Sequence, residues 1–377
     1  MAATDTLRRV ARLLARALGL GGGALLAPAA QAVDLPPDGA EALVHIYNGG
    51  GVRAIGPALL VRKSIADRVQ LSGQLYVDAV SNASIDVVTT ASPFKETRTE
   101  LGVGVDHAVR DTLLHLGLTN STEPDYTART LSADISQEVW SGMATVSLGF
   151  SRGADQVKRH GDPGFADEAR HWQWRAGWTQ VLSPRWLAAL SAESLADDGY
   201  LGSPYRAARV FGALVPERVP RSRSGQAVKL RVQGDLSSDS VRQAMRAEGR
   251  LYRDNWGIQA VTLEGGYSRY LGSALGDWLA EGFVRLNRQQ AASFYSDDAT
   301  RETLYVSRNR QLGSFTSTSL GAKASRAAGG RWQDWNLRLG GSLELVNFRH
   351  SDYTDLRSGA AYRFTGLLLQ VQATGSF

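Results

Sequence analysis

The sequence predicts an all-β protein, a transmembrane antiparallel β-barrel of about 16 strands, with 14 or 18 strands as the alternatives. Three observations lead to this prediction. Apolar and polar residues alternate with a period of two along most of the chain, the last predicted strand ends on an aromatic residue, and the connections between strands alternate between short and long.

The N-terminal region has the pattern of an export signal. Four arginines, Arg8, Arg9, Arg12 and Arg16, precede an apolar stretch at 17–29 and the small-x-small sequence Ala30-Gln31-Ala32. The apolar stretch is too short to remain as a membrane helix. We therefore expect residues 1–32 to be a signal peptide that is removed on the general secretory route, leaving a single barrel domain at 33–377.

Composition excludes several classes of site. The chain has no cysteine, so an exported protein of this sequence has neither disulfides nor thiolate metal sites. The 6 histidines are scattered without metal-ligand spacing, and no acidic run resembles a calcium loop. Most of the formal charge of +5 belongs to the signal region. We therefore predict no cofactor, no metal and no nucleic-acid partner.

The alternating pattern begins near Val44 and defines the predicted strands. In Ala144, Val146 and Leu148 one face is apolar, while the intervening Thr145 and Ser147 are polar. The predicted strands are 42–48, 57–64, 69–80, 97–106, 112–121, 127–136, 143–152, 170–182, 186–195, 227–236, 240–253, 258–270, 278–290, 315–326, 335–347 and 361–377.

The connections provide independent support, because after the first strand they alternate in length. The short ones are predicted at 65–68, 107–111, 138–142, 183–185, 237–239, 271–277 and 327–334. The long ones include 81–95, 153–169, 196–226, 293–314 and 349–360. Outer-membrane barrels have short periplasmic turns and long external loops, so this alternation favours a barrel in the bacterial outer membrane.

The C-terminal strand is amphipathic and ends on Phe377. One parity carries Leu367, Leu369 and Val371, and the other carries glutamine and threonine. One face is thus suited to lipid and the other to water. We expect outer-membrane lipid around the barrel and recognition of the strand ending at Phe377 by the barrel-assembly machinery.

If the apolar parity faces lipid, charged residues of both signs face the lumen. The pore-lining candidates are Lys229, Arg231, Arg242, Arg246, Arg250, Glu248, Glu264, Glu281 and Arg285. Five of the cations lie on the neighbouring predicted strands 227–236 and 240–253. They form either a basic ladder that attracts anionic solutes, or one side of a salt-bridged wall with Glu248, Glu264 and Glu281 as partners.

Signals for catalysis are weak, and no catalytic residue is predicted. Ser151 lies in a G-x-S-x-G string, but at a strand end rather than in a strand-turn-helix context. Asp134 and His115 share one parity on adjacent predicted strands and could form a carboxylate–imidazole pair. An outer-membrane enzyme therefore stays open as a second alternative.

Several loop and turn segments have distinctive sequences. The longest is Ser84 to Arg98, SIDVVTTASPFKETR. Others are the segments Gly161-Asp162-Pro163, Ser203-Pro204-Tyr205-Arg206, Asn255-Trp256-Gly257-Ile258 and Phe294-Tyr295-Ser296-Asp297. Together they resemble one family of bacterial outer-membrane proteins, catalogued as domain of unknown function 3570. The resemblance implies an outer-membrane barrel with no assigned activity. It also implies an association with small lipoproteins, thioredoxin-like proteins and flavin-transferring enzymes.

The matching segments cluster in predicted external loops. We hypothesise that the loops at 81–95 and 196–226 fold inward and either constrict the pore or bind a partner; alternatively, they pack on each other and cap the barrel. The external-loop candidates are Asp86, Lys95, Glu96, Arg98, Tyr200, Tyr205, Arg206 and Arg209.

The function predicted first is a non-enzymatic pore or transport protein for small hydrophilic solutes. The alternative is a loop-plugged barrel that serves as scaffold or conduit for an exported lipoprotein or a periplasmic redox partner, flavin- or thioredoxin-linked. The two differ in a measurable property, since a plugged barrel conducts poorly and a pore does not.

Overall fold

The computed structural model describes residues 34–82, 94–272, 277–328 and 335–377. The predicted signal peptide at 1–32 and most of the predicted loop at 81–95 lie outside the described residues. Within them, no α-helix is long and apolar enough to cross a membrane.

Sixteen strands form one closed antiparallel barrel, which confirms the predicted fold class and strand number. The barrel strands are β1 (Gly39–Gly49), β2 (Val52–Ala66), β3 (Val69–Asn82), β4 (Phe94–Val109), β5 (Thr112–Glu123), β6 (Tyr126–Val139), β7 (Ala144–Arg159), β8 (Asp162–Ser183), β9 (Trp186–Gly199), β12 (Ser222–Asp235), β13 (Gln243–Asp254), β14 (Gln259–Tyr270), β15 (Leu279–Gln289), β16 (Phe315–Ala327), β17 (Asn336–Thr354) and β18 (Ala361–Ser376). A separate hairpin, β10 (Ala207–Val210) and β11 (Ala213–Pro216), lies between β9 and β12.

The first and last strands close the barrel. β1 pairs with β18 from Gly39 opposite Ser376 to Asn48 opposite Leu367. Gly39 and Ser376 therefore lie at the end of the barrel that carries the short turns, which in outer-membrane barrels is the periplasmic end. The two longest connections with described residues, 200–221 and 290–314, lie at the external end.

Two predicted external loops consist largely or partly of strand residues. The segment 153–169 continues β7 to Arg159 and β8 from Asp162, joined at Gly161, whose φ of 78° suits glycine in a tight turn. The segment 349–360 extends β17 to Thr354 beyond a β-bulge. Polar residues on both faces concealed these extensions, because a strand that projects beyond the lipid needs no apolar face.

The outward face of the barrel is apolar along its middle. Leu101, Val103, Leu116 and Leu118 are all more than half exposed on neighbouring strands β4 and β5. An exposed apolar surface this regular marks contact with lipid rather than with water. The inward parity of the same strands is polar or small, which leaves a hydrophilic lumen.

Candidate functional site: the lumen and its external cap

A network of ion pairs covers part of the lumen wall on β13 to β17. Arg246 contacts Glu264 and lies 2.6 Å from Glu281, while Arg285 lies 2.6 Å from the second oxygen of Glu264 and 2.9 Å from Glu344. The inward parity of five adjacent strands brings these side chains to one level. Each arginine therefore has two carboxylate partners.

Phe283 lies at the centre of this network. Its ring is 95% buried and lies within 6 Å of the cationic groups of Arg246, Arg285 and Lys323, at 5.7, 5.4 and 5.3 Å from the ring centroid. The ring packs against Gly321 on β16, where a side chain would collide with it. The alternation on β15 places Phe283 between Glu281 and Arg285 on the inward face. Phe283 is absent from the predicted lumen residues, which are all charged, although its parity indicates the inward face.

The predicted basic ladder on β12 and β13 is only partly neutralised. Lys229 lies 3.9 Å from Glu248, and Arg250 lies 3.7 Å from Glu193. Arg231 makes no ion pair with a described residue, and its Nε has no hydrogen-bond partner there. Arg242 is exposed in the β12–β13 connection, one residue before β13 begins at Gln243, and its guanidinium lies 4.4 Å from the centre of the Tyr270 ring.

The opposite wall holds the residues considered for catalysis. His115 and Asp134 are cross-strand neighbours, but the histidine Nδ1 lies 2.7 Å from Asp106, and Asp134 accepts from Arg175 at 2.7 Å. Ser151 lies inside β7, opposite Ser132 and Gln173, and not at a turn. The geometry is thus that of a hydrogen-bonded wall, and Ser151 lacks the strand-turn-helix context of a nucleophile elbow.

The connections 200–221 and 290–314 fold together into one unit, here called the external cap. Val210 bridges to Ala299 and Arg218 bridges to Val306 through backbone pairs. Buried apolar side chains join them in a small core made of Ala208, Val210, Ala299 and Val306, with Val215 packed against it. A cap with its own core holds a defined shape over the barrel end.

Arg308 attaches the cap to the rim of the barrel. It is 98% buried and donates to the Tyr353 hydroxyl at 3.0 Å and the Thr354 carbonyl at 2.7 Å, and it pairs with Asp297 at 2.8 Å. Its guanidinium also lies 4.3 Å from the centre of the Tyr353 ring. A buried arginine with this many partners fixes the loop in one position.

Contacts on both sides show that the 290–314 connection extends over the lumen. On one side Arg310 donates to the Tyr362 hydroxyl at 2.9 Å and lies 3.5 Å from the Gly50 carbonyl in the β1–β2 turn. On the other side Trp256, in the β13–β14 turn, is buried against Leu312. The connection therefore reaches well beyond its own strands β15 and β16 in both directions.

The predicted external-loop residues of the cap make contacts within it or with the β7–β8 hairpin. Arg206 approaches Glu217 at 3.9 Å, and Arg209 approaches Asp298 at 3.3 Å. The Tyr205 hydroxyl accepts from the His160 backbone N–H at 2.6 Å, and burial together with the nearby Asp125 carboxylate raises the pKa of Tyr205 to about 12. Burial likewise raises the pKa of Tyr200 to about 12. These contacts are those of a packed cap.

The remaining external-loop candidates lie on β4, except Asp86, which falls outside the described residues. Arg98 is buried on the inward face and donates to Glu100 at 2.8 Å, while Lys95 is exposed on the outward face. Glu96 approaches Glu123 and Asp125, and ligand atoms of the three carboxylates lie within 4.8 Å of one another. Oxygen donors of this kind suit a hard cation such as Ca²⁺. Sequence spacing could not reveal the group, because β4 and the β5–β6 turn bring it together.

Comparison with known proteins places the chain in a family. The model of the family described as "Protein of unknown function (DUF3570)" matches residues 64–167 and 162–340, which is more than half of the chain. The chain belongs to the DUF3570 family. The resemblance drawn from the sequence is thereby confirmed.

Solved structures similar to this DUF3570 protein are outer-membrane barrels. A bacterial polysaccharide outer membrane secretin matches with a TM-score of 0.54 at 10% identity, over 90% of this chain and 98% of that chain. OpdK of Pseudomonas aeruginosa with vanillate gives 0.45 at 10% identity over 89% and 97%. OccD3 (OpdP) of the same organism gives 0.46 at 9% identity over 94% and 96%. No curated protein matches. The likeness to the secretin, at 10% identity, concerns the fold alone, which is that of an outer-membrane barrel.

Proposed function

We propose that this DUF3570 protein is a non-enzymatic pore for small hydrophilic solutes, with the external cap as its constriction. One observation carries the proposal: charged wall residues remain solvent-exposed below a cap whose own contacts are buried. The side chains of Lys323, Asp134 and Arg285 are 39%, 40% and 35% exposed in the lumen, whereas Arg308 in the cap is 1% exposed. A hydrated, charged lumen is the lining that dissolved solutes require.

The balance of charges on the wall supports weak selectivity between ions. The charges of Arg246, Arg285 and Lys323 are balanced within the network by those of Glu264, Glu281 and Glu344, so the network contributes little net field to a solute. Arg231 faces the lumen without an ion-pair partner among the described residues and favours anions. We therefore expect a modest preference for anions rather than strict exclusion of cations.

Planar-bilayer recording of refolded 33–377 tests the proposal. A loop-shortened variant isolates the cap: the Ala292 N–H donates to the Leu312 carbonyl at 2.8 Å, so Gly-Ser-Gly in place of 293–311 can close the stem. The matched control replaces 356–359, an exposed external turn, with Asn-Gly. We expect a stable conductance for the unmodified barrel, a several-fold increase for the cap variant, and no change for the control.

The same recordings discriminate the rival function. A closed bilayer from correctly folded protein, opened only by the cap variant, would contradict a standing pore and favour a plugged scaffold for a lipoprotein or periplasmic redox partner. A closed bilayer from both would contradict a pore of any kind. Heat-modifiable migration on a gel verifies folding in each case.

A further inference from the structure

Arginines that have no acidic partner among the described residues lie on the outward face near the external end of the barrel. Arg349 on β17 and Arg363 on β18 are directly opposite each other in the strand register, and both are exposed. Arg288 on β15 continues the row, since Thr316 on β16 is paired with Arg288 on one side and with Arg349 on the other. We call Arg288, Arg349 and Arg363 the outward arginine row.

The register establishes that the row faces away from the lumen. The preceding pair on the same two strands, Phe348 and Phe364, stacks with ring centroids 4.8 Å apart, and Phe364 also contacts Arg310 of the cap. Successive residues of a strand point to opposite faces, so Arg349 and Arg363 point outward. Their face is the one that exposes Leu345 and Leu367 to lipid.

The row lies at the boundary of the apolar band. On β15, Arg288 is the next outward residue after Leu286, which is 49% exposed. On β17, Asn347 separates Arg349 from Leu345 and accepts from the Arg349 guanidinium at 3.1 Å. Outward residues thus change from leucine to amide to arginine toward the external end. This order corresponds to the passage from hydrocarbon to the headgroup region of a bilayer.

Electrostatics makes the row a site for an anion. Like charges directly opposite on neighbouring strands destabilise a sheet, and Arg349 and Arg363 are such a pair. Within the described residues, no carboxylate lies within ion-pair distance of any of the three arginines. The outward parity of β13 to β16, of β17 up to Arg349 before its bulge, and of β18, β1 and β2 carries no acidic residue. Inward arginines such as Arg246 have carboxylate partners instead.

We propose that the outward arginine row binds the phosphate groups of a phosphorylated glycolipid in the outer leaflet, of the lipid A class. Guanidinium groups bind phosphate oxygens through paired N–H donors. The row extends over about three strand spacings, roughly 15 Å, so it can contact a headgroup with more than one phosphate. The acyl chains would lie on the leucines of the same strands, in the arrangement of known basic lipid sites near a membrane surface.

The test compares two double variants that remove equal charge from the same outward face. Arg349→Gln/Arg363→Gln alters the row, whereas Arg269→Gln/Arg326→Gln removes two exposed outward arginines at the periplasmic end. Native mass spectrometry of the refolded barrel in detergent measures binding of bisphosphorylated lipid A. We expect at least tenfold weaker binding for the first variant and less than a twofold change for the second.

Lipid chemistry supplies the second comparison. Lipid A without phosphates should not bind, and Arg349→Lys/Arg363→Lys should bind with intermediate strength, because lysine keeps the charge but lacks the paired donors. Equal weakening in both glutamine variants, or phosphatidylglycerol bound as tightly as lipid A, would overturn the assignment. If a double variant fails the gel test of folding, Arg363→Gln alone replaces it.

Discussion

The ion-pair network of the lumen predicts how much stability the barrel loses when Glu264 is neutralised. Glu264→Gln removes the carboxylate that Arg246 and Arg285 share, and the side chain is only 9% exposed. Each lost charge-assisted hydrogen bond is worth about 1.5–3 kcal/mol. Because Arg246 retains Glu281 at 2.6 Å and Arg285 retains Glu344 at 2.9 Å, neither cation is left without a carboxylate. We therefore expect a net loss of about 2–3 kcal/mol in unfolding free energy, below the roughly 3–5 kcal/mol for breaking an isolated buried pair.

The matched control is Glu41→Gln. Glu41 also faces the lumen and accepts from one arginine, Arg62 at 2.6 Å, but it is 40% exposed. Exposed pairs contribute about 0–1 kcal/mol, so this variant should remain close to the parent. Denaturant unfolding followed by tryptophan fluorescence measures both variants. Since each variant adds one net positive charge to the lumen, the reversal potential in a salt gradient should move toward anion preference in both.

The difference in unfolding free energy between the two variants tests whether the shared carboxylate stabilises the barrel. Equal losses, or a loss under about 0.5 kcal/mol for Glu264→Gln, would show that the network is hydrated enough to behave as a set of surface pairs. The reasoning from shared carboxylates would then be refuted. A shift in reversal potential for Glu41→Gln without one for Glu264→Gln would instead show that Glu264 lies outside the path of the ions.

Three further predictions concern the cap and the wall. Arg308→Met should make the 290–314 connection at least tenfold more sensitive to chymotrypsin near Tyr305 while the barrel stays folded; unchanged cleavage would contradict its anchoring role. Tyr205 should titrate near pH 12 in absorbance at 295 nm, and its contribution to cap stability, complete below pH 10, should be lost as the pH rises through 12; Tyr205→Phe should remove that titration. Gly321→Ala should cost about 1–3 kcal/mol by displacing Phe283, whereas Gly282→Ala, with open space around it, should be nearly neutral; equal effects would refute the packing argument.

The barrel could be predicted because its determinants are local. The alternation in β18 and the aromatic end at Phe377 are features of one strand, and the strand number follows from repeating the same test along the chain. The ion pairs among Arg246, Glu264 and Glu281 also follow, because parity and antiparallel adjacency bring charges of opposite sign together. The ends of strands could not be predicted in this way. β7 and β8 extend beyond the lipid, where the sequence no longer has to alternate between apolar and polar residues.

A cap of packed loops was one of the alternatives that the sequence left open, but the pairing of the connections 200–221 and 290–314 could not be predicted, because it depends on contacts between residues far apart in the chain. Arg308 and Tyr353 are separated by 45 positions, and Ser307 and Glu217 by 90, so no periodic pattern relates them. The 290–314 connection follows a long stretch of strand residues and has no alternation of its own. Its placement depends on buried polar contacts to the rim, which only the closed barrel brings within reach.

The arginines show most directly how position in the fold determines the role of a residue type. Arg246 and Arg349 both lie on strands and both read as charged positions in the sequence, but they differ in parity. The inward arginine meets carboxylates on the neighbouring strands, since the lumen wall carries both signs of charge. The outward arginine lies opposite another arginine, since the described strand residues on that face carry no acidic side chain near it. An inward arginine is therefore paired with carboxylates of the protein, whereas an outward arginine, on our proposal, is paired with phosphate groups of the membrane.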